Sequence, residues 1–184
     1  MAALETADLV KLTTDQVQAL TTAQVVALTT AQMPNLLTSQ VAALKADQVA
    51  ALETADLTKL TTDQVQALTT AQVVALTTDQ VPNLLTSQVA ALITTQVQAL
   101  TTAQVVALTT AQMPNLLTSQ VAALIADQVA ALETADLTKL TTNQMQALTT
   151  AQVVALMTDQ VPNLLTSQVA ALKADQVAAL ETAD

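Results

Sequence analysis

The chain has no glycine, cysteine, histidine, arginine, tryptophan, tyrosine or phenylalanine, and each absence closes off some chemistry. Without cysteine there are no disulfides, thiolate metal sites or thiol nucleophiles. Without histidine no Ser-His or Cys-His pair can form. Without aromatic rings nothing stacks on nucleobases, and a net charge of −10 repels phosphate backbones, so nucleic-acid binding is excluded as a function class. The longest apolar run, Val121 to Ala126, is far too short to span a bilayer. No basic region followed by an apolar stretch opens the chain, so an export signal is expected elsewhere.

What remains is a narrow alphabet in which 52% of residues are hydrophobic, enough apolar material to fold. It is arranged with a period of eight. From Leu4 the chain divides without a gap into 22 octads, 4–11 through 172–179, with the consensus L-T-T-x-Q-V-x-A. Position 1 is always Leu. Position 5 is Gln except at Asp8, Asp56 and Asp136, and position 6 is Val, Met or Leu. A 48-residue period of six octad types runs from Leu12 to Lys59 and restarts at Leu60. The octad 92–99, LITTQVQA, looks like a splice of two types and shortens the second copy. The chain is expected to be one repeat array, 1–184, and a fragment of a longer one, because neither end carries a polar capping repeat.

The period decides the conformation. In one continuous α-helix the Leu column would precess by about 80° per octad and form no stripe. Pro34, Pro82, Pro114 and Pro162 would also break such a helix. In a strand, positions 1 and 6 would face opposite sides, and a β-solenoid, the alternative, needs tight turns that glycine usually supplies. A short helix plus a corner fits best. Thr13 and Gln16 form a capping box, Leu12 and Val17 sit at the staple positions, and most octads repeat both devices. Acids at position 4, such as Asp15, Asp47, Asp63, Asp79, Asp127, Asp159 and Asp175, would lie in a first turn. At Leu37, Leu85, Leu117 and Leu165 the N-cap slot holds leucine, so capping there is expected to move to Thr38 and its equivalents. One Leu and one Val cannot offset the ordering of eight residues, so octads must stack. The fold class is all-α, a solenoid of very short helices, one per octad.

Candidate sites are few. Glu53/Asp56 and Glu133/Asp136, with Glu5/Asp8 and Glu181/Asp184, are weak candidates for a Ca²⁺ site that lacks the usual loop, and their first reading is a solvated helix start. Ser39, Ser87, Ser119 and Ser167 recur in LLTSQ with no base at a fixed spacing. Met33, Met113 and Met145 read as core, and Met157, at a Thr position, as partly exposed. The Gln column reads as a capping and inter-coil hydrogen-bond ladder. Ranks of Thr could present an ice-binding lattice, although capping turns their oxygens toward the backbone. No catalytic residue and no cofactor is expected.

The strings L-T-T-A-Q-V-V-A-L and A-L-E-T-A-D-L-T-K-L resemble the octapeptide arrays of very large bacterial surface or secreted repeat proteins, loosely described as adhesion or haem-utilisation proteins. The resemblance covers the whole chain. It implies an extracellular or cell-surface spacer, stalk or interaction scaffold whose partners are neighbouring repeats, with end-to-end self-association of separate copies. The alternative is a ligand-binding repeat surface for ice or Ca²⁺. The chain itself has no His, Cys or Tyr with which to ligate a haem iron.

Overall fold

The structure, a computed structural model, describes residues 5–180. Among these residues there are eighteen short α-helices and no strand, so the β-solenoid alternative is set aside. The helices run four to seven residues, one per octad. The exceptions are the four proline octads, where a 3-10 turn replaces the α-helix at Met33–Asn35, Val81–Asn83, Met113–Asn115 and Val161–Asn163. Asp79 and Asp159 precede two of these turns and therefore do not lie in the first turn of an α-helix, as the octad pattern had suggested. Proline lacks the N–H that would continue the helix. The asparagine that follows it folds back, and Asn35, Asn83, Asn115 and Asn163 donate Nδ2 to the carbonyls of Ala31, Asp79, Ala111 and Asp159 at 2.6–2.8 Å.

The corners explain why glycine is dispensable. Many of the helices end when the position-1 leucine adopts an extended conformation, as at Leu20 (φ −62°, ψ 139°), followed by an equally extended N-cap, as at Thr21 (φ −75°, ψ 158°). Two consecutive extended residues turn the chain, and no described residue has positive φ. The next helix then starts on its capping box. The Thr Oγ1 of residues 13, 21, 61, 69, 101, 141 and 149 accepts from the Gln N–H three residues on at 3.1–3.2 Å. The same Gln returns its Oε1 to the Thr N–H at 2.6–2.9 Å.

Leucine at the N-cap does not displace the helix start. Leu37, Leu85, Leu117 and Leu165 remain the N-cap residues, and capping does not shift to Thr38. The half of the box that survives is the glutamine half: Oε1 of Gln40, Gln88, Gln120 and Gln168 accepts from the leucine N–H at 2.6–2.9 Å. A leucine side chain cannot accept a bond, so the Gln40 N–H has only the Leu37 backbone carbonyl, at 2.9 Å, and the cap is held by the extended backbone and the glutamine.

The chain forms two compact units, Met1–Leu92 and Ile93–Asp184. Each is a helical repeat solenoid. In the first, helix Thr38–Ala43 packs on Thr14–Ala19 and on Thr62–Ala67; in the second, Thr142–Ala147 packs on Thr118–Ala123 and on Thr166–Ala171. Packed partners are thus three octads apart. The interior of each coil is filled by the position-1 Leu and the position-6 Val, Met or Leu, including fully covered Val25, Met33, Met113 and Met145. Met157, at position 2, is 52% exposed.

Candidate functional site

The residue that distinguishes this coil from a plain stack of apolar octads is the position-5 glutamine. Its Oε1 is already used in the cap. Its Nε2 points inward and donates to two backbone carbonyls of the preceding turn. In the first unit Gln40, Gln48, Gln64, Gln72, Gln80 and Gln88 reach the carbonyls 31 and 28 residues earlier, at 2.8–3.1 Å and 2.6–2.9 Å. In the second unit Gln128, Gln144, Gln152, Gln160, Gln168 and Gln176 do the same at 2.8–3.3 Å and 2.6–2.8 Å. A turn of the coil therefore takes more than three and fewer than four octads.

The ladder solves a specific problem. The last carbonyls of each short helix have no partner within the helix, and the coil buries them. The glutamine amide reaches them from the next turn, so one side chain satisfies a start and an end of two different helices. The glutamines of these turns are buried, and no described buried side-chain nitrogen or oxygen atom lacks a partner. The ladder expected from the sequence is present.

Two registers lack the rung. At Asp56 the carbonyls 31 and 28 residues earlier are those of Val25 and Leu28; at Asp136 they are those of Val105 and Leu108. Val25 O accepts from Leu28 N at 2.9 Å and Val105 O from Leu108 N at 3.2 Å, but no described residue donates to Leu28 O or Leu108 O. Glu53 and Glu133, the N-caps of these two helices, likewise receive no side-chain cap bond. Asp56 and Asp136 are each only 3% exposed, which corrects the expectation of solvated acids at a helix start. Burial holds both carboxyls above the usual aspartate range, with the neighbouring charge of Glu53 or Glu133 adding to the rise.

Asp8 occupies the same octad position and behaves differently. It is exposed and pairs with Lys11 at 3.0 Å, the only ion pair among the described residues. Lys59 and Lys139 stand at the same spacing from Asp56 and Asp136 without closing that contact. Glu181/Asp184 lie outside the described residues.

Other candidates are distributed over the surface. Ser39, Ser87, Ser119 and Ser167 are exposed in first turns. In the second unit Glu133, Met157, Asp159 and Gln160 line an open cleft of about 440 Å³. Among the described residues no three acidic side chains come close enough to share a metal ion. None of the described helices is long and apolar enough to cross a membrane. The Leu28 and Leu108 carbonyls were not legible from sequence. The substitution of Gln by Asp was visible, but its partner lies a full turn away, and the turn length appears only in the folded chain.

A family model described as the ALTTAQ repeat matches residues 1–38, 49–86, 84–118 and 129–166, most of the chain. No curated protein and no solved structure matches it. The chain belongs to the ALTTAQ-repeat family.

Proposed function

We propose that this member of the ALTTAQ-repeat family is a non-catalytic structural spacer or interaction scaffold, carried on the surface of a bacterial cell or secreted from it. The observation that supports this reading is the commitment of the polar column. The glutamines that could have formed a recognition surface are turned inward, each binding one helix start to one helix end of the turn before. Such a lattice makes stability nearly additive in its units and lets length vary without redesign of any site. The 16-residue shortening at 92–99 is a length change of this kind, and the helix Thr94–Ala99 at the splice keeps its ordinary form.

The exposed positions are chemically plain: threonine, alanine, serine and acids, with scattered apolar residues such as Leu37, Val74 and Leu85. They give a scaffold a soluble, negatively charged exterior, consistent with a net charge of −10. Gln16 and Gln24 have exposed side chains, and Val169 and Val177 are partly uncovered. Separate copies of the chain therefore associate end to end on this reading, and sedimentation velocity over a hundredfold range of protein concentration would register it.

The localisation is tested by protease treatment of intact cells of the source organism, with an antibody raised against the chain. Loss of the epitope before lysis is the expected result. Full protection in intact cells, with recovery only in the cytosolic fraction, would overturn the surface reading. The scaffold reading is tested by removing whole 48-residue units: unfolding free energy should step down with each unit while the remaining octads keep their helical signal.

A further inference from the structure

Each turn of the coil has two unlike sides. Toward the turn before it, a turn presents its position-5 glutamines, whose Nε2 atoms donate to helix-end carbonyls, as Gln48 does to Val17 O and Leu20 O at 3.1 and 2.6 Å. Toward the turn after it, it presents such carbonyls and the position-6 side chains. Burial records the two sides separately. From Gln32 to Gln176 the described position-5 glutamines are 0–4% exposed, but Gln16 and Gln24 are exposed. From Leu9 to Val153 the position-6 residues are 0–2% exposed, but Val169 and Val177 are 46% and 41% exposed. Beside the open glutamines, Val17 and Val25 are buried; beside the open valines, Gln168 and Gln176 are buried. One surface is therefore open on its glutamine side only and the other on its valine side only. They are the two halves of a turn-on-turn interface that the coil makes repeatedly within itself, and neither half is complementary to its own kind.

We propose that a second copy of this chain docks head to tail across these surfaces, the Gln16 and Gln24 side of one copy on the Val169 and Val177 side of the other. This rests on the end-to-end association of the proposed scaffold and gives that association a direction and a register. Within the coil, a step of one octad along one turn is matched by a step of one octad along the turn it contacts: Gln40 donates to Leu9 O and Gln48 to Val17 O, each 31 residues back. Gln16 and Gln24 are eight residues apart, and so are Val169 and Val177. Seated in the coil's own register, Gln16 Nε2 takes Val169 O and Leu172 O, and Gln24 Nε2 takes Val177 O. Oε1 of both glutamines already accepts its own cap bond, from Thr13 N and Thr21 N at 2.9 Å, so docking asks no rearrangement of either helix start. The two valines and the half-buried Leu172 supply apolar area. Such a contact is heterologous, and it leaves one further side open on each copy instead of closing on a two-fold pair. Each copy carries a net charge of −10, so added salt strengthens the association.

Two double variants of the full chain test the direction. Gln16→Glu with Gln24→Glu keeps the cap acceptors, since glutamate serves a capping box as glutamine does, but replaces the inter-copy donors by charges that face carbonyls. Val169→Glu with Val177→Glu puts charge on the opposite side, at positions already exposed, and leaves the glutamine side intact. Helical circular dichroism verifies that both are folded; should the second pair disturb the fold, Val169→Ser with Val177→Ser takes its place. Sedimentation velocity from about 10 µM to 1 mM, the range suited to a small interface, is the readout. The parent chain is expected to assemble with concentration and each variant alone to remain a monomer. An equal mixture of the two variants should form a dimer and nothing larger, because only one complementary pair of sides survives. A folded variant that assembles alone as the parent does overturns the head-to-tail register and leaves self-association standing. A mixture of folded variants that stays monomeric where the parent assembles overturns the register in the same way. A parent chain that is monomeric throughout overturns both the register and the end-to-end association on which it rests.

Discussion

Octads 4–11 and 52–59 differ at one residue, LETADLVK against LETADLTK, yet their aspartates live in different worlds. Asp8 is exposed and paired with Lys11; Asp56 is buried and closes no ion pair, and its carboxyl pKa is raised by that burial. Octad 132–139 repeats the second case at Asp136. The local sequence is not what separates them. An octad becomes interior when a turn packs beneath it, and the carbonyls of that turn then decide which side chain at position 5 is comfortable. Glutamine satisfies them; aspartate does not.

The strongest way to break this comparison is to make one substitution in both settings. Gln72 binds Thr69 N at 2.7 Å, Val41 O at 2.8 Å and Leu44 O at 2.6 Å, all buried or nearly so. Gln16 is exposed, and its Oε1 accepts the cap bond from Thr13 N at 2.9 Å. Replacing each by methionine keeps the volume and removes the polar ends. Gln72→Met should cost about 2–4 kcal/mol, because the Leu44 carbonyl and the Thr69 N–H are stranded while Val41 O keeps its bond from Leu44 N–H, whereas Gln16→Met should cost about 0.5–1 kcal/mol, the price of a cap. Equal losses in urea unfolding would show that the ladder contributes nothing beyond capping.

The reverse substitution repairs rather than breaks. Asp56→Gln installs the missing rung to Val25 O and Leu28 O and the missing cap bond to Glu53 N–H, and removes a buried charge. In metal-free buffer it should stabilise the chain by about 1–3 kcal/mol, as should Asp136→Gln. Asp8→Gln should change stability by no more than about 0.5 kcal/mol, since an exposed ion pair is all it removes. A destabilised Asp56→Gln would mean that the coil has closed around the shorter side chain.

Much of this was written in the sequence. The octad phase, the capping boxes at Thr13 and its equivalents, the burial of Met33 and Met113 and the exposure of Met157 follow from periodicity and position alone. So does the glutamine ladder, because a polar residue held at one phase of a buried repeat needs a partner that repeats with it. What could not be read was turn length. Without knowing that Gln40 reaches Leu9 and Leu12, nothing connects Asp56 with Leu28, and the Glu53/Asp56 pair looks like surface charge. Leucine at the N-cap was misleading for a related reason. Its side chain argued for a shifted helix, but the cap is held from the other side, by the glutamine.

The pH dependence sharpens the same contrast at smaller amplitude. A carboxyl whose pKa is raised in the folded state destabilises the fold when ionised, and the penalty is relieved as protons are taken up. Stability of the parent chain relative to the Asp56→Gln, Asp136→Gln variant should therefore be poorest near neutrality and should recover as pH falls through the raised pKa toward 3.8, the ordinary aspartate value. The gap between the two melting curves, followed from pH 7 toward about pH 4 in metal-free buffer, should narrow. A gap that widens on acidification would place the strain outside these two carboxyls.

The smallest effect belongs to the first octad. Lys11 and Asp8 meet at 3.0 Å, but their side chains are 73% and 53% exposed. Water and salt screen such a pair, and holding the lysine in one rotamer offsets much of what remains. Lys11→Met should thus cost less than about 0.5 kcal/mol, and less still at about 0.5 M salt. Lys59→Met, three residues after Asp56, removes a charge that closes no contact with the aspartate and should be silent as well. If Lys59→Met proved clearly destabilising while Lys11→Met did not, the lysine would be compensating Asp56 at longer range. The buried carboxylate would then already have its cation, and the distinction between the two octads would be one of distance rather than of partner.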